Sequence, residues 1–199
     1  AQVNQPASVN ACSGSAVVVT FTTTTPGTSY SWTNSNPAIG LPASGTGNIS
    51  FNAATVAVAT TGTITVTPNY TNSGVSCPGT PRTFTITVNP NPTVNPVANQ
   101  TLCSGDLTTA VTFTGAFAGT VYNWTNSNSS IGLAASGTGN IPAFAPTNTT
   151  TSIQTAVITV TPSLTTGGTT CMGTPITFSY IVYPRPLVNV GPDIAICQN

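Results

Sequence analysis

Five cysteines are the residues of this 199-residue chain whose chemistry is easiest to read. They are Cys12, Cys77, Cys103, Cys171 and Cys197. The chain has no histidine and no closely spaced cysteine pair, so a zinc-type metal site is not indicated. Widely spaced cysteines are typical of disulfide bonds, which form and persist in oxidising compartments. The cysteines therefore predict a secreted or cell-surface protein that contains disulfides and needs no metal ion or other cofactor.

Charged side chains are almost absent, and this excludes several functions. Only Arg82, Asp106, Arg185 and Asp193 carry charge, and the chain has no Lys or Glu. Paired carboxylates or a base beside a nucleophile are missing, so no catalytic residue is predicted and the protein is not expected to be an enzyme. Without clusters of Lys and Arg, neither nucleic acid nor an anionic membrane surface is an expected partner. No apolar run is long enough for a membrane span.

The chain contains two copies of one sequence unit, and the other features are compared between these two copies. Residues 30–49 return at 122–141 with sixteen of twenty positions identical. The match extends outward in both directions, and the offset grows from 91 to 94 residues, so the insertions should lie in loops. Matching positions include Cys12 and Cys103, Cys77 and Cys171, Thr65–Pro68 and Thr159–Pro162, and Gly79–Pro81 and Gly173–Pro175. A third copy begins before Cys197.

Apolar residues alternate with threonine inside each unit, which is typical of half-buried β-strands. Residues 63–67 and 83–88 alternate, and 17–21, 28–33 and 49–51 predict further strands. The expected core residues are Ile64, Val66, Phe84, Ile86 and Val88, with Ile158, Val160, Phe178, Tyr180 and Val182 in the second unit. Short strands in units of this size predict an all-β fold of two antiparallel immunoglobulin-like sandwiches.

The expected domain boundaries follow the repeat. Repeat 1 covers residues 1–92, repeat 2 covers 93–186, and residues 187–199 start a third repeat. The joints at 88–92 and 182–186 are rich in proline, which favours a stiff, extended linker. The expected arrangement is therefore a rod of domains in line.

Two aromatic residues recur on one predicted strand, as Tyr30 and Trp32 and again as Tyr122 and Trp124. Residues two apart on a strand share a face. They are interpreted as core aromatics of the sandwich, and the competing hypothesis is a platform on which sugar rings stack. The nearby Gly-rich loop, residues 44–48, lacks the Lys of a phosphate cradle and is interpreted as a glycine turn.

The cysteine pairing follows from the predicted sandwich. The start of the first strand and the hairpin that joins the last two strands lie at the same end of such a fold. This predicts the bonds Cys12–Cys77 and Cys103–Cys171, with Cys197 left over. The alternative, Cys77–Cys103 with Cys171–Cys197, stays open.

Several motifs together resemble those of a known protein family. They are the Cys-Ser-Gly opening, the Tyr-x-Trp strand, the Thr-Val-Thr-Pro strand, the late Cys and the Val-Asn-Pro-x-Pro joint. They resemble the PKD-like, immunoglobulin-like repeats of very large secreted surface proteins of the Bacteroidota, such as gliding-motility adhesins and cell-surface filaments. The standard PKD pattern has a Gly-Asp-Gly turn after the Trp strand, whereas Thr33–Asn36 follows here, so no acidic metal site is implied.

The resemblance implies a structural role in an extracellular fibre or adhesin stalk. The expected partners are further repeats of the same chain, with self-association into a fibre, because a nearly uncharged surface of threonines does little to keep neighbours apart. The alternative is a repeated carbohydrate-binding module with surface glycans as its ligands.

Overall fold

The structure, a computed structural model, describes residues 1–186 and consists of β-strands, turns and two short 3₁₀ helices. The expected third repeat, with Cys197, lies outside the described residues. The strands of the first repeat are β1 (Val9–Cys12), β2 (Ala16–Val19), β3 (Thr28–Asn34), β4 (Ser44–Thr46), β5 (Ile49–Asn52), β6 (Thr60–Asn72), β7 (Val75–Pro78) and β8 (Arg82–Asn89). Those of the second are β9 (Gln100–Cys103), β10 (Val121–Asn126), β11 (Ser136–Thr138), β12 (Gln154–Thr166), β13 (Thr169–Met172) and β14 (Ile176–Tyr183). The 3₁₀ helices are Pro37–Ile39 and Ser129–Ile131.

Strand order identifies the fold. The first repeat has a six-stranded sheet ordered β1-β8-β6-β3-β4, with β7 beside β6, and a separate sheet of β2 and β5. The pairs are antiparallel except β1 with β8, which is parallel. This is the order of an immunoglobulin-like sandwich, in which the second and fifth strands form the facing sheet. The second repeat has the equivalent order β11-β10-β12-β14-β9, and at the place of β2 and β5 it keeps the single bridge between Val111 and Ile141. The prediction of an all-β, immunoglobulin-like fold is confirmed.

The chain forms two compact units whose bounds differ from those of the sequence repeats. Unit 1 contains Ala1–Val94, Gly115–Val121 and Pro162–Thr174. Unit 2 contains Asn95–Thr114, Tyr122–Thr161 and the described residues from Pro175 onward. The tip of the β12–β13 hairpin therefore belongs to the same unit as the whole first repeat. The division into domains at residues 92 and 186 stays a prediction.

The core lies where the alternating pattern predicts it. The five expected core side chains of the first repeat are between 0% and 4% exposed, and their five counterparts in the second are at most 2% exposed. Burial of one such side chain contributes about 1.5–3 kcal/mol to the free energy of folding. The intervening threonines of β6 and β8 remain exposed or half-buried, as expected for the outer face of a sheet.

The repeated Thr-Asn-Ser-Asn segment, which contains the last two residues of β3 and of β10, leads into a hydrogen-bonded turn. The buried Asn34 donates from Nδ2 to the Leu41 carbonyl at 2.8 Å, and its Oδ1 accepts from the Asn36 amide at 3.0 Å. The Asn36 side chain then accepts from the Ala38 amide at 3.2 Å and so caps the first 3₁₀ helix. Asn126 and Asn128 repeat these contacts. These asparagines are therefore explained by the turn itself.

Candidate functional site

One disulfide bond links residues from the two sequence repeats. Cys12 at the end of β1 is bonded to Cys171 on β13, with their Cα atoms 5.5 Å apart. The two cysteines are 159 positions apart in sequence and lie within unit 1. Cys171 is only 1% exposed. The bond therefore closes a very large loop from within a compact, packed region.

Two hydrogen bonds also hold β13 and its turn against the first repeat. Asn10 donates from Nδ2 to the Gly167 carbonyl at 3.1 Å, and its own carbonyl accepts from the Thr169 hydroxyl at 3.3 Å. The disulfide is thus one part of a specific docking of the hairpin onto the end of β1.

The predicted bond Cys12–Cys77 is wrong, and the strand register shows why. Cys12 pairs with Asn89 on β8, and the next residue of β8, Val88, pairs with Thr60 at the start of β6. Cys77 pairs with Tyr70, near the other end of β6. Ten steps along β6 separate these two levels, which is about 33 Å at the rise of a strand. A disulfide needs Cα atoms within about 7 Å of each other. The prediction placed Cys12 at the start of the first strand, whereas it stands at its end.

The same distance separates the other predicted pair, Cys103 and Cys171. Cys103 pairs with Tyr183 on β14, and the adjacent residue Val182 pairs with Gln154 at the start of β12. Cys171 pairs with Leu164, ten residues further along β12. The alternative pairing is also wrong for Cys171, since its sulfur is bonded to Cys12. In the described part of the chain, Cys77 and Cys103 are exposed free thiols.

The turn after each Cys-Ser-Gly motif is held by different side chains in the two repeats. In the first, the Ser15 hydroxyl accepts from the Cys12 amide at 3.2 Å, and Asn91 donates to the Ser13 carbonyl at 3.2 Å. In the second, a carboxylate oxygen of Asp106 accepts from the Cys103 amide at 3.3 Å.

Arg185 completes the second version of this turn. Its guanidinium donates to the Ser104 carbonyl and forms an ion pair with Asp106. The charge of Asp106 and Arg185 is not repeated, because the corresponding residues of the first repeat are Ser15 and Asn91. The sequence comparison therefore assigned these two residues no function. The pairwise replacement of two polar residues by an ion pair is the signal that could have identified them.

The aromatic strands point their indoles inward. Trp32 and Trp124 are each 7% exposed, and Tyr30 and Tyr122 are partly buried beside Phe21 and Phe113. Each indole lies against a glycine of the adjacent strand, where a Cβ on Gly45 or Gly137 would be 2.2 Å from a ring carbon. A sugar ring needs an exposed aromatic face for stacking, and these indoles do not present one.

The glycine-rich loop is a turn, as its composition predicts. Gly47 has a φ of 70° and Gly139 a φ of 75°, a region that residues with a Cβ rarely adopt. The turn places the following asparagine beside the Phe21 strand, so that the Oδ1 of Asn48 accepts from the Phe21 amide at 2.9 Å. Asn140 repeats this contact with Phe113. The loop therefore holds two strands together rather than a ligand.

Two shallow depressions lie on the outer faces of the sheets, one in each repeat. They have volumes of about 320 Å³ and 300 Å³. Most of their lining residues have short polar side chains, namely Ser31, Thr33, Ser44, Thr46, Thr65 and Thr67 in the first and Asn123, Thr125, Ser136, Thr138, Thr159 and Thr161 in the second. The remaining lining residues are Trp32 and Gly45 in the first and Trp124 and Gly137 in the second. Such walls offer hydrogen bonds but neither charge nor a nucleophile assisted by a base, so they could bind a neutral polar molecule at most.

Tyr180 is the described residue whose ionisation is most strongly altered. Its side chain is fully buried, and its hydroxyl has no hydrogen-bond partner among the described residues. Burial raises the pKa of Tyr180 to about 12, because the charged phenolate loses its hydration. Its ring packs edge-on against Phe144 and Phe178. The surroundings are those of a core residue.

Residues 1–186 contain no group of three or more His, Cys, Asp or Glu side chains close enough to hold a metal ion. Within the same range, none of the helices has the length and apolar character required to cross a membrane.

No family model and no curated protein matches the chain. The solved structures that it resembles include the fibronectin(III)-like modules of CbhA from Clostridium thermocellum, with 14% identity, a TM-score of 0.39, and coverage of 97% of this chain and 99% of the other. The tandem Ig repeats of Dlar have 10% identity, a TM-score of 0.31, and coverage of 92% and 98%. The Sidekick-1 immunoglobulin domains 1–5 have 13% identity, a TM-score of 0.30, and coverage of 92% and 39%. Likeness at this level carries no argument about activity or partners, and the fold assignment here rests on the strand order.

Proposed function

We propose that this chain is a structural segment of an extracellular fibre or adhesin stalk, built from tandem immunoglobulin-like repeats. The observation that carries the proposal is the Cys12–Cys171 bond, which joins the first sequence repeat to the second. A bond in this place resists separation of successive repeats along the chain. Such a bond suits a load-bearing stalk, because it keeps the two repeats joined when the chain is pulled.

Two other observations support an extracellular location. A buried disulfide persists in oxidising compartments. The near absence of Lys and Arg removes almost all trypsin sites: only Arg82 and Arg185 are present, and Pro186, which hinders cleavage, follows the latter. Resistance to proteases suits a fibre that is exposed outside the cell.

The test is immunogold electron microscopy of intact cells of the source organism with an antibody against this chain. The proposal expects labelled filaments at the cell surface, with no permeabilisation needed. Labelling that appears only after permeabilisation would refute an extracellular stalk. A strain that lacks the gene is the control for antibody specificity.

A carbohydrate-binding module is the second candidate, and the two polar depressions favour it. Both repeats keep them in equivalent places. Their ligand would be a neutral glycan bound by hydroxyl groups, without the ring stacking that an exposed Trp would offer. A glycan array tests this candidate. Binding that is lost in the variant Thr65→Ala/Thr67→Ala/Thr159→Ala/Thr161→Ala, which alters both depressions, would support it. The matched control Thr83→Ala/Thr85→Ala/Thr177→Ala/Ser179→Ala, on the neighbouring strands, should keep the binding.

A further inference from the structure

Each sequence repeat contains cysteines at the same two positions. In the structure, a cysteine at one of these positions forms a disulfide with a cysteine at the other position. One position ends the first strand, as Cys12 and Cys103. The other lies on the second strand of the long hairpin, as Cys77 and Cys171. The bond Cys12–Cys171 joins one position of each kind and leaves one of each kind free.

The two hairpins have matching geometry. Cys77 pairs with Tyr70 in one, and Cys171 pairs with Leu164 in the other, each two steps from the turn pair. Both turns consist of two successive residues with positive φ, at 49° and 82° for Ser73 and Gly74 and at 57° and 78° for Gly167 and Gly168. Each sulfur therefore stands in the same place relative to its own turn.

The strand ends that carry Cys12 and Cys103 also match. Cys12 pairs in parallel with Asn89, and Cys103 pairs in parallel with Tyr183. The residue after each cysteine donates to the carbonyl of that partner, at 2.8 Å in both repeats. A surface that accepts the end of β1 can therefore accept the end of β9 by the same approach.

The two copies of this arrangement differ in what covers them. β13 packs against β1, and Cys171 is nearly inaccessible. By contrast, all four residues of β7 are exposed, including Cys77 and Val75, which is 64% exposed. Beyond Cys103, Leu107 is 73% exposed. The thiols of Cys77 and Cys103 are thus both exposed, and an exposed apolar side chain, Val75, lies on the same strand as Cys77.

We propose that Cys103 of one copy of this chain bonds to Cys77 of a second copy, which reproduces the Cys12–Cys171 docking between molecules. The occupant of the bare β6–β7 hairpin is the end of β9 of another copy, and repetition gives a covalent head-to-tail chain. This inference rests on the proposed function only where it treats such a chain as part of a fibre. The pairing itself depends on the geometry of the cysteines.

The bond requires an oxidant, and a small disulfide such as oxidised glutathione supplies it. The Cys103 thiolate attacks one sulfur of the glutathione disulfide and releases one reduced glutathione. The Cys77 thiolate of the second copy then attacks the Cys103 sulfur of the mixed disulfide and releases the second glutathione. Two protein thiols are oxidised, one disulfide is reduced to two thiols, and the two protons from the protein pass to the glutathione thiolates.

The polar contacts beside the existing bond are not repeated at the free positions. Thr101 stands where the first repeat has Asn10, and Ser73 stands where the second has Gly167. The side-chain donation from Asn10 to Gly167 therefore has no direct equivalent. We expect association to depend on the new disulfide and to be lost when it is reduced.

The test uses the full chain with Cys197→Ser as background, so that Cys77 and Cys103 are the free thiols that remain. One variant adds Cys77→Ser and the other adds Cys103→Ser, with a mass tag on one of them. Equimolar amounts are mixed in a glutathione redox buffer and resolved by non-reducing electrophoresis and intact mass. Peptide mapping identifies the linkage and verifies that Cys12–Cys171 is intact.

Random pairing of two unselective thiols would give mixed dimers as half of all dimers. The proposal expects mixed dimers, linked Cys77–Cys103, to exceed same-variant dimers by at least tenfold. A statistical mixture, or no dimers at all, would overturn it. Either result would leave surface labelling of the fibre untouched, so the two proposals fail separately.

A matched pair of surface variants tests the docking surface itself. Val75→Asp on the Cys77 partner should slow formation of the mixed dimer about tenfold, because it places a charge beside the incoming strand end. Val18→Asp on β2, at a valine that is 66% exposed, is the control and should leave the rate unchanged. Equal rates for both variants would contradict docking at the hairpin.

Discussion

Removal of the Cys12–Cys171 bond should change how far the chain extends under force. The bond takes 159 residue steps out of the extensible length when the chain is pulled from its two ends. At about 3.6 Å per residue in a fully extended chain, these steps correspond to roughly 570 Å. We predict that breaking the bond lengthens the fully unfolded chain by this amount, whatever its folded end-to-end distance.

The same bond should stabilise the folded protein. In the chain-entropy model, closing a loop of 159 residues lowers the entropy of the unfolded state by an amount worth about 5 kcal/mol. The variant Cys12→Ser/Cys171→Ser should therefore lose several kcal/mol of unfolding free energy. The variant Cys77→Ser/Cys103→Ser carries the same number of substitutions, keeps the bond and is the matched control.

Single-molecule force spectroscopy measures the extension, and denaturant unfolding measures the stability. With the bond intact, the chain should stop at the short extension allowed by the residues outside the loop. If the control variant extends as far as Cys12→Ser/Cys171→Ser, or if added reductant leaves its extension unchanged, the bond assignment is refuted. A bond Cys12–Cys77 would be revealed by full extension of both variants, because each of them lacks one of its two cysteines.

Two further predictions concern single buried groups. Burial raises the pKa of Tyr180 to about 12, whereas the pKa of tyrosine in the unfolded chain is near 10. Between these pH values the unfolded state loses the phenol proton and the folded state keeps it. The unfolding free energy should therefore fall by about 2–3 kcal/mol as the pH rises from about 10 to 12. Tyr180→Phe should remove this loss, and an unchanged alkaline profile in that variant would contradict the assignment. The indole Nε1 of Trp124 donates to the Gly139 carbonyl at 3.1 Å, whereas that of Trp32 has no partner among the described residues. Trp124→Phe should therefore cost about 1 kcal/mol more than Trp32→Phe in denaturant unfolding, and equal costs would refute the role of this hydrogen bond.

Local pattern was enough to predict the core. Alternation of Ile64 and Val66 with threonine encodes one buried face, because side chains on a strand point alternately to its two sides. The repeat added a second, independent copy of the same signal. The alternation is read within single strands and the repeat by aligning two copies, and the strands and buried side chains agree with both.

The disulfide could not be predicted in the same way, because it depends on which end of a strand carries the cysteine. Cys12 ends β1, and the parallel pairing of β1 with β8 places that end far from the β6–β7 hairpin. Composition contains no signal for the bounds of a four-residue strand. The ion pair of Asp106 with Arg185 was missed for a related reason, since its two members are 79 residues apart and the first repeat uses uncharged side chains for the same turn.

A chain with so little charge must obtain its stability from forces that salt does not weaken. The ion pair between Arg185 and Asp106 is the one salt bridge among residues 1–186, and its side chains are 60% and 48% exposed. Exposed pairs of this kind contribute at most about 1 kcal/mol, and salt screens them. Burial of apolar strands, backbone pairing and a covalent bond have no such dependence on ionic strength. These are the properties that a fibre needs where the composition of the surrounding medium changes, and they agree with a mechanical role for the chain.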